Sequence, residues 1–188
     1  MRRIILCTII LLAIQFVINA QQKFSFRSSN YVGLLEGETG SAFQLQTING
    51  FQHRGWFGGI GTGLDYYRYR SIPLFFSLNK KIGNQSSGFF ISMDEGLNFA
   101  WYNREKRWDN DFTSSKFSPS LYWSPGIGYS LGLRNNKDAI LISIGYSYKH
   151  LKEKVERPVF CINPPCEPVV ERYDYRLNRL LMRIGWQF

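Results

Sequence analysis

Polar and apolar residues alternate along most of this chain with a period of two. The last stretch, residues 172–188, shows it most clearly. Leu180, Met182, Ile184, Trp186 and Phe188 fall on one face; Arg179, Leu181, Arg183, Gly185 and Gln187 fall on the other. A period of two marks a β-strand whose faces meet different surroundings. Further strands of this kind are predicted at 41–48, 56–67, 72–81, 89–101, 121–133 and 140–149, with a weaker one at 31–35. Residues 21–30 read as a polar lead-in, and Asn49-Gly50 as the start of a turn running through His53 and Arg54. No stretch after the first twenty residues shows a helical period.

One face of these strands is oily. The other is small or polar: Phe57, Gly59, Gly61, Gly63 and Asp65 in one, Tyr122, Ser124, Gly126, Gly128 and Ser130 in another. A single amphipathic strand suits a soluble sandwich equally well. Repetition of the glycine- and serine-rich face favours a narrow barrel with its oil turned outward to lipid. The expected fold is therefore all-β, an eight-stranded antiparallel up-and-down transmembrane barrel. Its connections alternate long (102–118, and the polar segment 151–170) and short (134–138), as in outer-membrane barrels.

The first twenty residues, MRRIILCTIILLAIQFVINA, form a secretory signal: Arg2 and Arg3, an apolar core over 4–17, and a cleavage site at Ile18-Asn19-Ala20. The mature domain is expected to be 21–188. It contains no run of eighteen apolar residues, so a membrane-spanning helix is excluded after processing. The leader removes Arg2 and Arg3 from a formal charge of +9. The remaining excess favours anionic surfaces without indicating nucleic acid. Export makes a disulfide between Cys161 and Cys166 of CINPPC plausible, closing a Pro-rich loop. No His or second Cys pair stands near it, and no metal or cofactor site is expected.

The segments GWFGGIGTGLDYYRYRSIPLFFSLNKKIG and FFISMDEGLNF resemble the outer-membrane β-barrel domain of Bacteroidetes-type bacteria, an OmpA-like small barrel. That resemblance implies an architecture and an address in the cell outer membrane, not an activity. It also implies that Trp186 and Phe188 form the terminal signal read by the outer-membrane assembly machinery. Glu95 departs from the pattern, because a small or apolar residue is expected on that lipid-facing position.

Asp65, Asp94, Arg179 and Arg183 fall on inward faces, and buried charges must pair. They are expected to form an interior carboxylate–arginine network that packs the barrel. Glu95 lies near an interface, is turned inward by a bulge, or marks a contact with another subunit. Arg68, Arg70, Lys149 and Lys152 stand at predicted outer ends, beside Arg104, Lys106, Arg107 and Lys154, where they can hold the phosphates of lipopolysaccharide. Trp101, Trp123, Tyr146, Tyr148 and Trp186 read as interfacial girdle residues. His53 and His150 are the only histidines, and Ser147 lies on the opposite face from His150, so no catalytic residues are assigned. The expected function is that of a monomeric barrel with a structural or binding role through its outer loops. A narrow conduit for small solutes is the alternative, and a lipid A-modifying enzyme a remote one.

Overall fold

The computed structural model describes residues 24–38, 40–66, 69–83, 86–101, 114–134, 138–157, 167 and 169–188. The predicted leader, Arg68, Cys161 and Cys166 lie outside them. Nine strand segments follow in order: β1 (Ser25–Glu36), β2 (Ala42–His53), β3 (Trp56–Tyr66), β4 (Arg70–Lys81), β5 (Gly88–Trp101), β6 (Ser114–Ser118), β7 (Ser120–Gly132), β8 (Ala139–Arg157) and β9 (Val169–Gln187). Only Pro119 separates β6 from β7, and both pair with β8. They act as one stave with an extra residue inserted beside β8, a bulge where Pro119 donates no ladder bond. Eight staves result, each antiparallel to its sequence neighbours, and β1 closes on β9.

The distribution of side chains is inside out. Ile60 is 66% exposed, Phe89 65% and Ile184 63%, whereas Asp65 and Lys149 are fully buried. A sheet closed on itself leaves no edge over its paired length. With a continuous apolar exterior, such a cylinder is at home in hydrocarbon, where every backbone group must be satisfied internally. The exterior ends in two bands of aromatics. Phe26 with Phe51, Trp56, Phe89 with Tyr129, and Trp186 lie toward the short-turn end. Tyr66, Trp101 and Trp123 with Tyr146 lie toward the other. Among the described residues, no helix is long and apolar enough to cross a membrane.

The interior is narrow, and the sequence meets that limit by alternating small and large residues around the wall. Across the hydrogen-bonded rows, Gly61 faces Phe75, Phe75 faces Gly96, and Gly96 faces Tyr122. Gly128 faces Phe90 and Gly185 faces Tyr31 in the same way. A Cβ on Gly61 would stand 2.4 Å from the Phe75 ring, and one on Gly185 2.4 Å from that of Tyr31. Each glycine is the space its aromatic neighbour lies across. Tyr31, Ile48, Phe57, Phe75, Phe90, Tyr122 and Leu141 form one buried cluster in consequence.

Four expectations need correction. Residues 25–30 belong to β1, pairing with β2 from Ser25 and with β9 from Ser29. Asn49-Gly50 lies inside β2. The reversal falls instead at Arg54-Gly55, both in the left-handed region (φ 48° and 76°), as a two-residue hairpin turn requires. The second long polar segment is strand at both of its ends: β8 runs to Arg157 and β9 begins at Val169, and the two are paired there. No bulge rotates Glu95 inward. It pairs in unbroken register with Phe76 and Trp123 and stays exposed on the outer face.

Candidate functional site

Two polar layers cross the barrel core. In the middle one, Arg183 (β9) and Asp94 (β5) form an ion pair at 2.8 Å, with side chains 3% and 1% exposed. Arg183 Nη1 also donates to Gln46 Oε1 at 3.0 Å and its guanidinium stacks over the Tyr31 ring at 4.9 Å. Ser77 Oγ donates to Asp94 at 2.6 Å, and Gln46 Nε2 donates to the Tyr122 hydroxyl at 3.0 Å. Both charges are thereby held by several partners, the condition under which a buried pair is tolerated.

Nearer the long-loop end, Asp65 (β3) pairs with Lys149 (β8) and accepts a hydrogen bond from Ser71. Lys149 Nζ also reaches Ser71 Oγ at 3.2 Å and Asn98 Oδ1 at 3.3 Å, with the Tyr122 ring 5.1 Å away. Lys149 is therefore not a lipopolysaccharide contact, because it is enclosed in the barrel with Asp65 as its counter-ion. Its position was legible: Lys149 shares parity with Ser143, Gly145 and Ser147, the inward set. Arg179 Nη1 donates to the carbonyls of Leu35 and Gly40, at the head of the barrel. Leu35, Ala42 and Leu181 pack beside it, with Leu177 against them.

Above the outer aromatic band the staves β8, β9 and β6 continue as a three-stranded wall. Its outward parity carries Lys116, His150, Lys152, Lys154, Glu156, Arg172, Asp174 and Arg176. The register sets Lys116 opposite Lys154, and Lys154 opposite Arg172. Three exposed cations thus stand side by side across three strands. Like charges directly opposite one another destabilise a sheet. Their acidic neighbours lie off the row: Glu156 hydrogen-bonds Lys154 at 2.6 Å, and Asp174 pairs with His150 at 2.6 Å. The Lys154 contact holds the Glu156 carboxyl below its ordinary value. Sequence reading missed Lys116, because 102–118 read as a loop with no parity, and did not single out Arg172 and Arg176 within the terminal strand.

The other assigned residues fall apart from this row. Lys152 is on the same wall, opposite Asp174. Arg70 is exposed at the start of β4, its guanidinium 5.4 Å from the Tyr66 ring centre. Trp186 and Phe188 are exposed at the short-turn end, where Phe188 exchanges backbone hydrogen bonds with Ser28. His53 stacks on Phe24 at 4.6 Å. Ser147 is buried while His150 is on the outer face, so the two do not meet. Among the described residues no cluster of acids, histidines or cysteines could hold a metal ion.

No protein-family model matches the sequence, and a search of curated proteins finds no match. Among solved structures, the chain is similar to the outer membrane protein OprG from Pseudomonas aeruginosa, with a TM-score of 0.55 and 10% identity over 86% of this chain and 93% of that one. At that identity the likeness is one of fold: this chain is a closed, eight-stave, all-antiparallel β-barrel of the kind seen in a bacterial outer-membrane protein.

Proposed function

We propose that the protein is a small outer-membrane barrel, delivered by its cleaved leader, that docks phosphate-bearing lipopolysaccharide on the outer wall of β6, β8 and β9. The Bacteroidetes-type resemblance is part of the same reading, as is recognition of Trp186 and Phe188 by the assembly machinery. In this orientation the short turns face the periplasm and the wall stands at headgroup level. The observation that carries it is the row Lys116–Lys154–Arg172, unfavourable for the isolated sheet and suited to a polyanion. A transport role is disfavoured by the packed core: Tyr122, Lys149 and Asp65 are fully buried across the bore.

A cation near an anionic headgroup layer contributes about 1 kcal/mol. Replacing all three with glutamine (K116Q/K154Q/R172Q) should therefore weaken binding of purified lipopolysaccharide by about 100-fold. Dephosphorylated lipopolysaccharide should bind the unaltered protein about as poorly, and added salt should narrow both differences. Equal binding by the triple variant and the unaltered barrel would remove this reading.

A further inference from the structure

The lipid-facing wall carries an ionisable side chain that the barrel itself does not use. Glu95 is exposed on the outer face of β5, three outward positions from Phe89 at one aromatic band and three from Trp101 at the other. It therefore stands at the middle of the hydrocarbon. Its cross-strand neighbours are Phe76 on β4 and Trp123 on β7, and it has no hydrogen bond or ion pair among the described residues. An ionisable group at that depth is costly, and such groups almost always pair.

Its own barrel offers no partner. Leu74, Phe76 and Leu78 surround it from β4, and Trp123 and Pro125 from β7. The main-chain groups beside it are taken up by unbroken ladders on both sides. Among the described outward side chains between the two bands there is no cation, and the neutral Thr62 lies beyond β4. The missing partner has to come from outside the chain, at the same depth.

A second copy supplies one without bringing any new polar group into the membrane. Two barrels inserted in the same orientation form a closed pair about a twofold axis parallel to the membrane normal. Such an axis sets every residue at the depth of its own copy. With the axis beside β5, carboxyl meets carboxyl. In hydrocarbon a carboxyl is least costly when neutral, and a neutral carboxyl carries both an O–H donor and a carbonyl acceptor. Two of them exchange two hydrogen bonds and leave neither donor unpaired. Sheets packed face to face stand about 10 Å apart, a gap that two glutamate side chains reach across from opposite sides. The apolar residues around Glu95 then pack against the other copy. We propose that the outer face of β4, β5 and β7 is the interface of a twofold homodimer within the membrane, closed by a Glu95–Glu95 carboxyl pair, in place of the monomer expected from the sequence. The interface is separate from the cation row on β6, β8 and β9 and does not depend on lipopolysaccharide.

Donor- and acceptor-labelled samples of the full-length barrel, mixed in phosphatidylcholine vesicles over a range of protein-to-lipid ratios, report association by energy transfer. The unaltered barrel should associate. Glu95→Gln should retain association, because an amide pairs with its own copy through the same two bonds. Glu95→Leu should weaken it at least about tenfold, the loss of two hydrogen bonds in hydrocarbon, and Glu95→Lys should abolish it. Tryptophan fluorescence checks that each variant is folded. At high dilution in lipid the barrels are single and the carboxyl is only a cost, so Glu95→Leu stabilises the separate barrel while it weakens the pair. An interface held by apolar contact alone would persist or tighten in Glu95→Leu. That outcome, loss of association in a folded Glu95→Gln barrel, or an unaltered barrel that stays single at the highest protein-to-lipid ratio would overturn the inference.

Discussion

The Arg183–Asp94 pair offers the sharpest test of how the bore is held together. Arg183→Met removes the cation but keeps an unbranched side chain of comparable length; Asp94→Asn removes the anion and keeps its shape. Each single change leaves the opposite charge inside the barrel. Asp94 would retain Ser77 (2.6 Å), and Arg183 would retain Gln46 (3.0 Å) and the Tyr31 ring. Those neutral contacts do not replace a counter-ion, and breaking a buried pair from one side costs about 3–5 kcal/mol. The double variant R183M/D94N carries no unpaired charge and should recover most of that loss. With a double variant no worse than either single one, the coupling energy of the cycle should then be at least about 3–5 kcal/mol, at or beyond the upper end for residues in direct contact. Urea unfolding of the barrel reconstituted in lipid vesicles, followed by tryptophan fluorescence, measures all four states. Single variants that each lose less than about 1 kcal/mol, with an additive double, would refute the argument, because the pair would then be solvated by water in the bore.

The remaining predictions use the same unfolding assay unless stated. Glu95 faces outward at the middle of the β5 belt, three outward positions from both Phe89 and Trp101, and it has no hydrogen bond or ion pair among the described residues. Glu95→Leu should stabilise the barrel in vesicles by about 1–2 kcal/mol, and Glu95→Lys should not. At Gly96 a Cβ would meet the Leu74 carbonyl at 2.2 Å and the Phe75 backbone at 2.5 Å, so Gly96→Ala should cost at least about 1–3 kcal/mol through forced displacement of the wall. Gly55→Ala should cost about 1–2 kcal/mol, because a φ of 76° places the new Cβ against the following carbonyl. In planar bilayers, the purified protein should show no discrete ion current.

The sequence period identified most staves and both of their faces. Glycine parity was its most informative part, since Gly61, Gly96, Gly128 and Gly185 mark where an aromatic ring crosses the bore. What alternation does not carry is the stagger between neighbouring strands. Asp65 and Lys149 are brought together by the tilt of several staves, and nothing local to either residue records that. The parity of Lys149 was readable; its partner was not. The same limit hid the Lys116–Lys154–Arg172 row, where β8 and β9 run on past the point at which their composition turns loop-like. Strands beyond the aromatic bands lose the oily face that makes alternation visible, so Lys152 and Lys154 look like a solvated connection. The turn at Asn49-Gly50 was misplaced for a different reason. Asn-Gly is a strong hairpin signal, but here Gly50 is needed inside the sheet, where its Cβ would collide with the Gly58 carbonyl at 2.2 Å.

The staves are joined unequally. The ladder between β8 and β9 runs from Ala139 to Arg157, whereas the one that shuts the cylinder, between β1 and β9, spans only Ser29 to Glu36. Tension applied across the wall therefore concentrates on the shorter zip. When the protein is pulled apart or partially denatured, that joint should part first, and the two long strands should swing away together as an intact hairpin. During assembly the order is reversed. The hairpin can form early from neighbouring residues, while the final join must bring together segments more than a hundred residues apart, which makes it the slow and most easily interrupted step of insertion.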